Sequence, residues 1–122
     1  MPLRKVHLEL ARDHEHPTGS SKHGYDFVAP LDDDGHLLAD EWKKTRERCR
    51  VRRFSEDDAD EIGLLVHGPG GRWVFDYDPG TSKDDEKGFK FDRHRFVPGE
   101  YVSITEHDGV QRTFFIKSVI SL

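Results

Sequence analysis

Three histidines, His14, His16 and His23, fall within the stretch DHEHPTGSSKH at residues 13–23. Neutral imidazoles are good zinc ligands, and a catalytic zinc site commonly uses three protein ligands with water in the fourth position. In an extended segment His14 and His16 point to one side, and His23 returns to them across a loop that contains Gly19. Glu15 then points away, so Asp13, His7 or Glu9 would have to support the ligands. The competing use of these residues is a polar loop whose imidazoles titrate near neutrality and make pH-sensitive contacts. The chain holds eight histidines, which makes a local group of three a modest enrichment, and neither an HExxH helix nor a CxxC pair accompanies it.

A second chemistry-bearing run is KKTRERCRVRR at residues 43–53. If residues 48–53 form a strand, Arg48, Arg50 and Arg52 make a row on one face, and guanidinium forks suit phosphate or carboxylate bidentately. The acidic runs on either side offer internal partners, which is the commoner use of such a row. A nucleic-acid surface would also need aromatic residues interleaved among the arginines, and only Trp42 and Phe54 flank them. Burial of Trp42 would weaken that reading. Asp76, Asp78, Asp84, Asp85 and Glu86 supply oxygen ligands in an acidic segment, but Thr81 and Lys87 stand where a calcium loop needs Gly and Glu. The GPGG at 68–71 precedes a strand, so it is a hairpin turn and not a phosphate cradle. Cys49 alternates with Val51 and is read as a small buried hydrophobe. No Ser, His and Asp or Cys and His grouping assembles from the sequence, and no catalytic residue is assigned.

These residues must be positioned by short strands. In RKVHLEL, Val6, Leu8 and Leu10 share one face; in YDFVAPL, Tyr25, Phe27 and Ala29 do. Residues 13–24 read as a loop. The stretch ADEWKKTRERC has acid in its first turn and base in its last, predicting a short helix over about 39–47. CRVRRF is a strand with Cys49, Val51 and Arg53 on one face. IGLLVH and RWVFDYD form a hairpin, with Trp73, Phe75 and Tyr77 inward. PGTSKDDEKG is a solvated acidic loop, FKFDRHRF a strand, and the last hairpin turns at Asp108-Gly109 with Phe114, Ile116 and Ile120 on one face. The pattern predicts an all-β fold, a small barrel or a two-layer sandwich of about seven strands with one short helix, in a single domain over residues 1–122.

Charged residues make up 35% of the chain, yet its thirteen aromatic residues argue against disorder. The net charge of −5 opposes long-range attraction to nucleic acid. No apolar run approaches the about 18 residues a membrane span needs, no signal segment is read at the N-terminus, and the single cysteine suits a reducing compartment. A cytoplasmic location is expected.

GLLVHGPGGRWVFDYD, GFKFDRHRFVPGEYVSI and TFFIKSV together resemble a family of small bacterial proteins with no assigned activity. That resemblance implies a mostly β bacterial protein and carries over no catalytic residue. FVPGEYVSI is also similar to the Pro-Gly-x-Tyr-Val stretch of the flavin-binding barrels of ferredoxin-reductase-like enzymes, whose flavin is held by an Arg-x-Tyr-Ser/Thr motif. Here the corresponding strand reads Arg112-Thr113-Phe114-Phe115, so no flavin contact carries over.

The leading expectation is a binding or interaction module without catalysis that engages a protein or an anionic ligand through Arg48, Arg50 and Arg52. A metal-binding protein or metal-dependent enzyme, with zinc on His14, His16 and His23, is the alternative. A structural subunit of a homo-oligomer joined through a β edge is the third.

Overall fold

The computed structural model describes residues 3–12, 16–56, 58–77 and 85–122. Its eight strands are β1 (Leu3–Leu10), β2 (Ser20–Pro30), β3 (Arg50–Phe54), β4 (Glu61–Gly68), β5 (Arg72–Asp76), β6 (Glu86–Phe89), β7 (Tyr101–Thr105) and β8 (Gln111–Ser121). Each pairs antiparallel with the next, and β8 pairs with β1, so the sheet closes into a barrel. Of the two architectures the pattern allowed, the barrel is the one formed. Closure leaves no free sheet edge among the described strands.

The interior follows the period of two. Val6, Leu8, Leu10, Phe27, Ala29, Val51, Leu65, Trp73, Phe75, Val102, Ile104, Phe114 and Ile116 are all buried. An eight-stranded barrel is just wide enough for side chains to fill, and here aromatic rings fill it. Phe27 meets Phe96 edge to face, Phe75 meets Phe91, and Phe91 meets Phe96, with centroids 5.0 to 6.0 Å apart. One helix, α1 (Ala39–Thr45), lies between β2 and β3 and is followed by a 3-10 turn at Arg46–Arg48. It buries Trp42, whose indole N–H donates to the Leu65 carbonyl at 2.8 Å and whose ring meets Trp73 edge to face.

Four local expectations change. Ser20–Gly24, read as loop, belongs to β2; Glu9 pairs with Gly24 but Leu10 pairs with Ser20, so residues 21–23 bulge away from β1. The serines and glycine that suggested a loop mark a bulged strand end. FKFDRHRF is not a strand: β6 ends at Phe89, and Lys90, with φ of 54°, starts a turn that swings Phe91 into the core. Gly88 makes room for it, since a Cβ there would lie 2.5 Å from the Phe91 ring. In β8, Leu8 pairs with Ile116 but His7 pairs with Ser118, leaving Lys117 as an extra residue. That shift reverses the alternation, so Val119 packs against the core and Ile120 is exposed. Finally, the chain bends at Cys49 and β3 begins at Arg50, so Arg48 lies in the 3-10 turn and off the strand.

Candidate functional site

At one end of the barrel the inward positions stop being apolar. Tyr25 on β2 is the register partner of Arg53 on β3, and Arg53 is the partner of Glu61 on β4. Glu86 opens β6 opposite Phe75, and Arg112 lies on β8 opposite Ile104. Glu106 follows β7 at the start of the last turn, where its N–H donates to the Val110 carbonyl and its carbonyl accepts from Gly109. Tyr25, Arg53, Glu86 and Glu106 are all buried.

Buried charge is tolerated only where it is paired and hydrogen-bonded, and this group is. Glu106 Oε2 accepts from Arg53 Nε at 3.1 Å and faces His23 Nε2 at 3.0 Å, while its Oε1 accepts from Arg112 Nη1 at 2.9 Å. The Tyr25 hydroxyl lies 2.6 Å from Glu106 Oε2 and 2.8 Å from Glu86 Oε1. It has one proton and donates it to one carboxylate at a time, coupling the two. Glu86 Oε1 also accepts from the Tyr77 hydroxyl at 2.8 Å, and its Oε2 accepts from the His107 backbone N–H at 3.0 Å and faces His107 Nδ1 at 3.1 Å.

The electrostatics follow from these contacts. Burial alone would raise the Glu106 carboxyl, but hydrogen bonds from His23 and Tyr25 and the Arg53 charge outweigh it and hold the group at about 2. Burial would make Arg53 easier to deprotonate, yet Glu106 and Glu86 hold its proton more firmly than usual. Tyr25 and Tyr77 are pushed well above the ordinary phenol range, first by burial and then by the adjacent carboxylates.

Solvent reaches this network through a cavity of about 280 Å³ lined by His16, His23, Arg53, Ser55, Glu56, Asp58, Asp108 and Arg112, together with Ser20. Two buried polar atoms in its lining residues, Arg53 Nη1 and Ser55 Oγ, have no hydrogen-bond partner among the described residues. Glu61 Oε1 lies 3.8 Å from Arg53 Nη1, beyond hydrogen-bond reach.

The residues singled out from the sequence are placed as follows. His14 lies outside the described residues. His16 and His23 line the cavity just described, with His23 held by Glu106. Arg50 and Arg52 share the exposed outer face of β3, where Arg52 Nη1 donates to Asp60 at 3.0 Å and Nη2 to Asp26. Arg52 is thus taken up by internal carboxylates, and the expected three-residue row is not formed, because Arg48 precedes the strand. Trp42 is buried and offers no stacking platform beside the arginines. Cys49 is fully buried, and burial raises its thiol. Asp78 and Asp84 lie outside the described residues, while Glu86 points into the barrel. Among the described residues one group of three ligand atoms lies close enough for a metal, Asp32, Asp34 and His36, and Asp32 Oδ1 there accepts from the Asp34 and His36 amides of its own turn.

Sequence reasoning missed the mouth, although part of its signal was readable. Arg53 shares a face with Cys49 and Val51, and a charged side chain on an apolar face is a flag for a buried ion pair or a site. Glu86 and Glu106 gave no such flag, since one closes an acidic run and the other opens a turn.

The fold and site together define a closed eight-stranded antiparallel barrel with a filled interior and a charge-paired polar mouth. Comparison with protein-family models, with curated proteins and with solved structures gives no significant match. No helix among the described residues is long and apolar enough to cross a membrane.

Proposed function

We propose that the protein is a binding module, in the cytoplasm, that takes the anionic group of a ligand at the barrel mouth, with Arg53 and Ser55 as donors and His23 and Arg112 beside them. The observation that carries this reading is the Arg53 guanidinium. It is buried, it lines a cavity open to solvent, and its Nη1 has no hydrogen-bond acceptor among the described residues. A buried donor left unmade costs about 1–3 kcal/mol, so an acceptor arriving from outside is favoured there. The competing use of such a donor is to hold ordered water, which a cavity of this size accommodates. Two such donors on residues lining one cavity, both without partners among the described residues, favour an oxyanion, whose several lone pairs engage both at once.

Binding is favoured over acid-base catalysis because Glu86, Glu106 and Tyr25 are buried and their polar atoms are engaged with one another, Arg53 and Arg112. The test is amide and arginine side-chain NMR titrated with sodium acetate and with sodium phosphate. Saturable shifts centred on Ser55, Arg53 and His23, weakened by Ser55→Ala, are expected. Shifts that do not saturate, or that Ser55→Ala and Arg53→Lys leave unchanged, would remove the reading.

A metal reading keeps one supporting observation, since His16 and His23 line the same cavity as Glu56 and Asp58. Zinc added to chelator-treated, tag-free protein should then shift the His16 and His23 imidazoles at stoichiometric metal. Weak shifts spread over every histidine would dismiss it.

A further inference from the structure

A different surface carries a ligand chemistry of its own. On the outside of the barrel, Tyr101 on β7 and Phe115 on β8 are direct register partners, and Phe115 is in turn the partner of Glu9 on β1. Tyr101 is 55% exposed, yet it is braced by Phe115 in edge-to-face contact with centroids 5.2 Å apart. A large aromatic ring that packs against a neighbouring ring while about half of the residue faces water offers a stacking surface.

The segment after β1 walls this surface. Ala11 N–H donates to the Thr113 carbonyl at 2.9 Å, tying the segment to β8, and residues 18–21 return alongside. The resulting concavity has a volume of about 480 Å³, and its lining includes Arg12, Thr18, Ser20, Ser21, Tyr101 and Lys117. Lys117 is the bulge residue of β8, and bulges commonly re-aim a side chain at a site. Neither Arg12 nor Lys117 has an ion-pair partner among the described residues. Glu9, the one carboxylate of the lining among the described residues, is hydrogen-bonded to His7 at 2.9 Å. Two cations with no ion-pair partner among the described residues, hydroxyl groups and a braced aromatic ring therefore line one concavity.

We infer that this outer concavity is a second binding site, for a mononucleotide: a planar heteroaromatic ring stacks on Tyr101 while its phosphate lies between Arg12 and Lys117. Each part follows from general chemistry. Base-aromatic stacking is tolerant of base identity, and ammonium and guanidinium groups are phosphate binders. A polymer is disfavoured because the net charge of −5 repels an extended polyanion and the basic residues here do not run on as a track. The ordinary alternative is a solvated surface where Arg12 and Lys117 only aid solubility; it leaves the exposed Tyr101 ring beside them without a use.

The test is NMR and calorimetric titration of the full chain with AMP, GMP, UMP and CMP, each alone. Ribose 5-phosphate, adenosine and a single-stranded oligonucleotide are the controls. At least one mononucleotide should bind saturably at one per chain, with shifts confined to Tyr101, Phe115, Lys117 and Arg12. Tyr101→Ala and Lys117→Ala should each weaken binding about tenfold or more, while Tyr101→Phe, which keeps the ring, should bind nearly as well. Tyr101 and Lys117 are both exposed, so these variants should fold, and unchanged spectra elsewhere would verify it. Failure of all four mononucleotides overturns the inference. So does equal binding of ribose 5-phosphate or adenosine, which would make ring or phosphate irrelevant, and so does tighter binding of the oligonucleotide. Shifts at Ser55 and Arg53 in place of Tyr101 would assign the phosphate to the barrel mouth and remove the outer site.

Discussion

Acid should destabilise this barrel through Glu106, and the size of the effect can be worked out from its surroundings. In the folded protein its carboxylate is buried against Arg53, Arg112, His23 and Tyr25, and it titrates at about 2 where an ordinary glutamate titrates at 4.5. The folded state thus binds this proton more weakly than the unfolded chain does. The stability Glu106 contributes is fully present above about pH 4.5 and is lost as the pH falls toward 2. At about 1.4 kcal/mol for each tenfold difference in proton affinity, the depression corresponds to about 3 kcal/mol. Urea unfolding followed by the fluorescence of the buried Trp42 and Trp73 measures this directly.

The paired measurement is Glu106→Gln, which cannot titrate. At neutral pH it leaves Arg53 and Arg112 without their shared anion, a loss of about 3–5 kcal/mol. The difference between wild type and variant should then shrink by about 3 kcal/mol between about pH 5 and pH 2, because only the wild type loses the contribution. Acids that do not touch Glu106 or its partners, such as Asp26, titrate in both proteins and cancel. A difference that stays constant across that range would refute the account of Glu106 as a charge held by the mouth.

Further outcomes follow from neighbouring features. Tyr25→Phe removes the hydroxyl that couples Glu86 to Glu106 and should cost about 1–3 kcal/mol in urea unfolding, more than Tyr77→Phe, which touches Glu86 alone. Gly88→Ala should cost about 1–3 kcal/mol, because its methyl group would lie 2.5 Å from the Phe91 ring and Phe91 must shift within a filled core; a neutral result would show that the end of the barrel is loosely packed. Burial lowers the proton affinity of His7, but its hydrogen bonds to Asp26 and Glu9 outweigh burial and hold it above the ordinary 6.5. Its contribution to stability is full below about pH 6.5 and fades as the pH rises through the raised value. Imidazole NMR should place His7 above the ordinary 6.5, and Asp26→Asn should bring it down.

The amino-acid sequence by itself determined the class of fold and most of the interior. Alternation over Val6 to Leu10, Tyr25 to Ala29, Trp73 to Phe75 and Phe114 to Ile116 is a local property of the chain, and a strand expresses it wherever it is placed. The helix near Trp42 and the burial of Cys49 were legible for the same reason. Tertiary structure decided whatever depends on which strands meet. Closure of the sheet into a barrel needs β8 to find β1, about a hundred residues away in sequence, and no local pattern encodes that pairing. Two bulges, in β2 and at Lys117, changed which side chains face inward, and a bulge is a relation between two strands and not a feature of one. The mouth is the strongest case. Glu86 and Glu106 look like ordinary surface charges in sequence and Arg53 is marked only by the apolar face it shares with Cys49 and Val51; the closed barrel alone brings them to one end, where low dielectric turns three scattered charges into one coupled network.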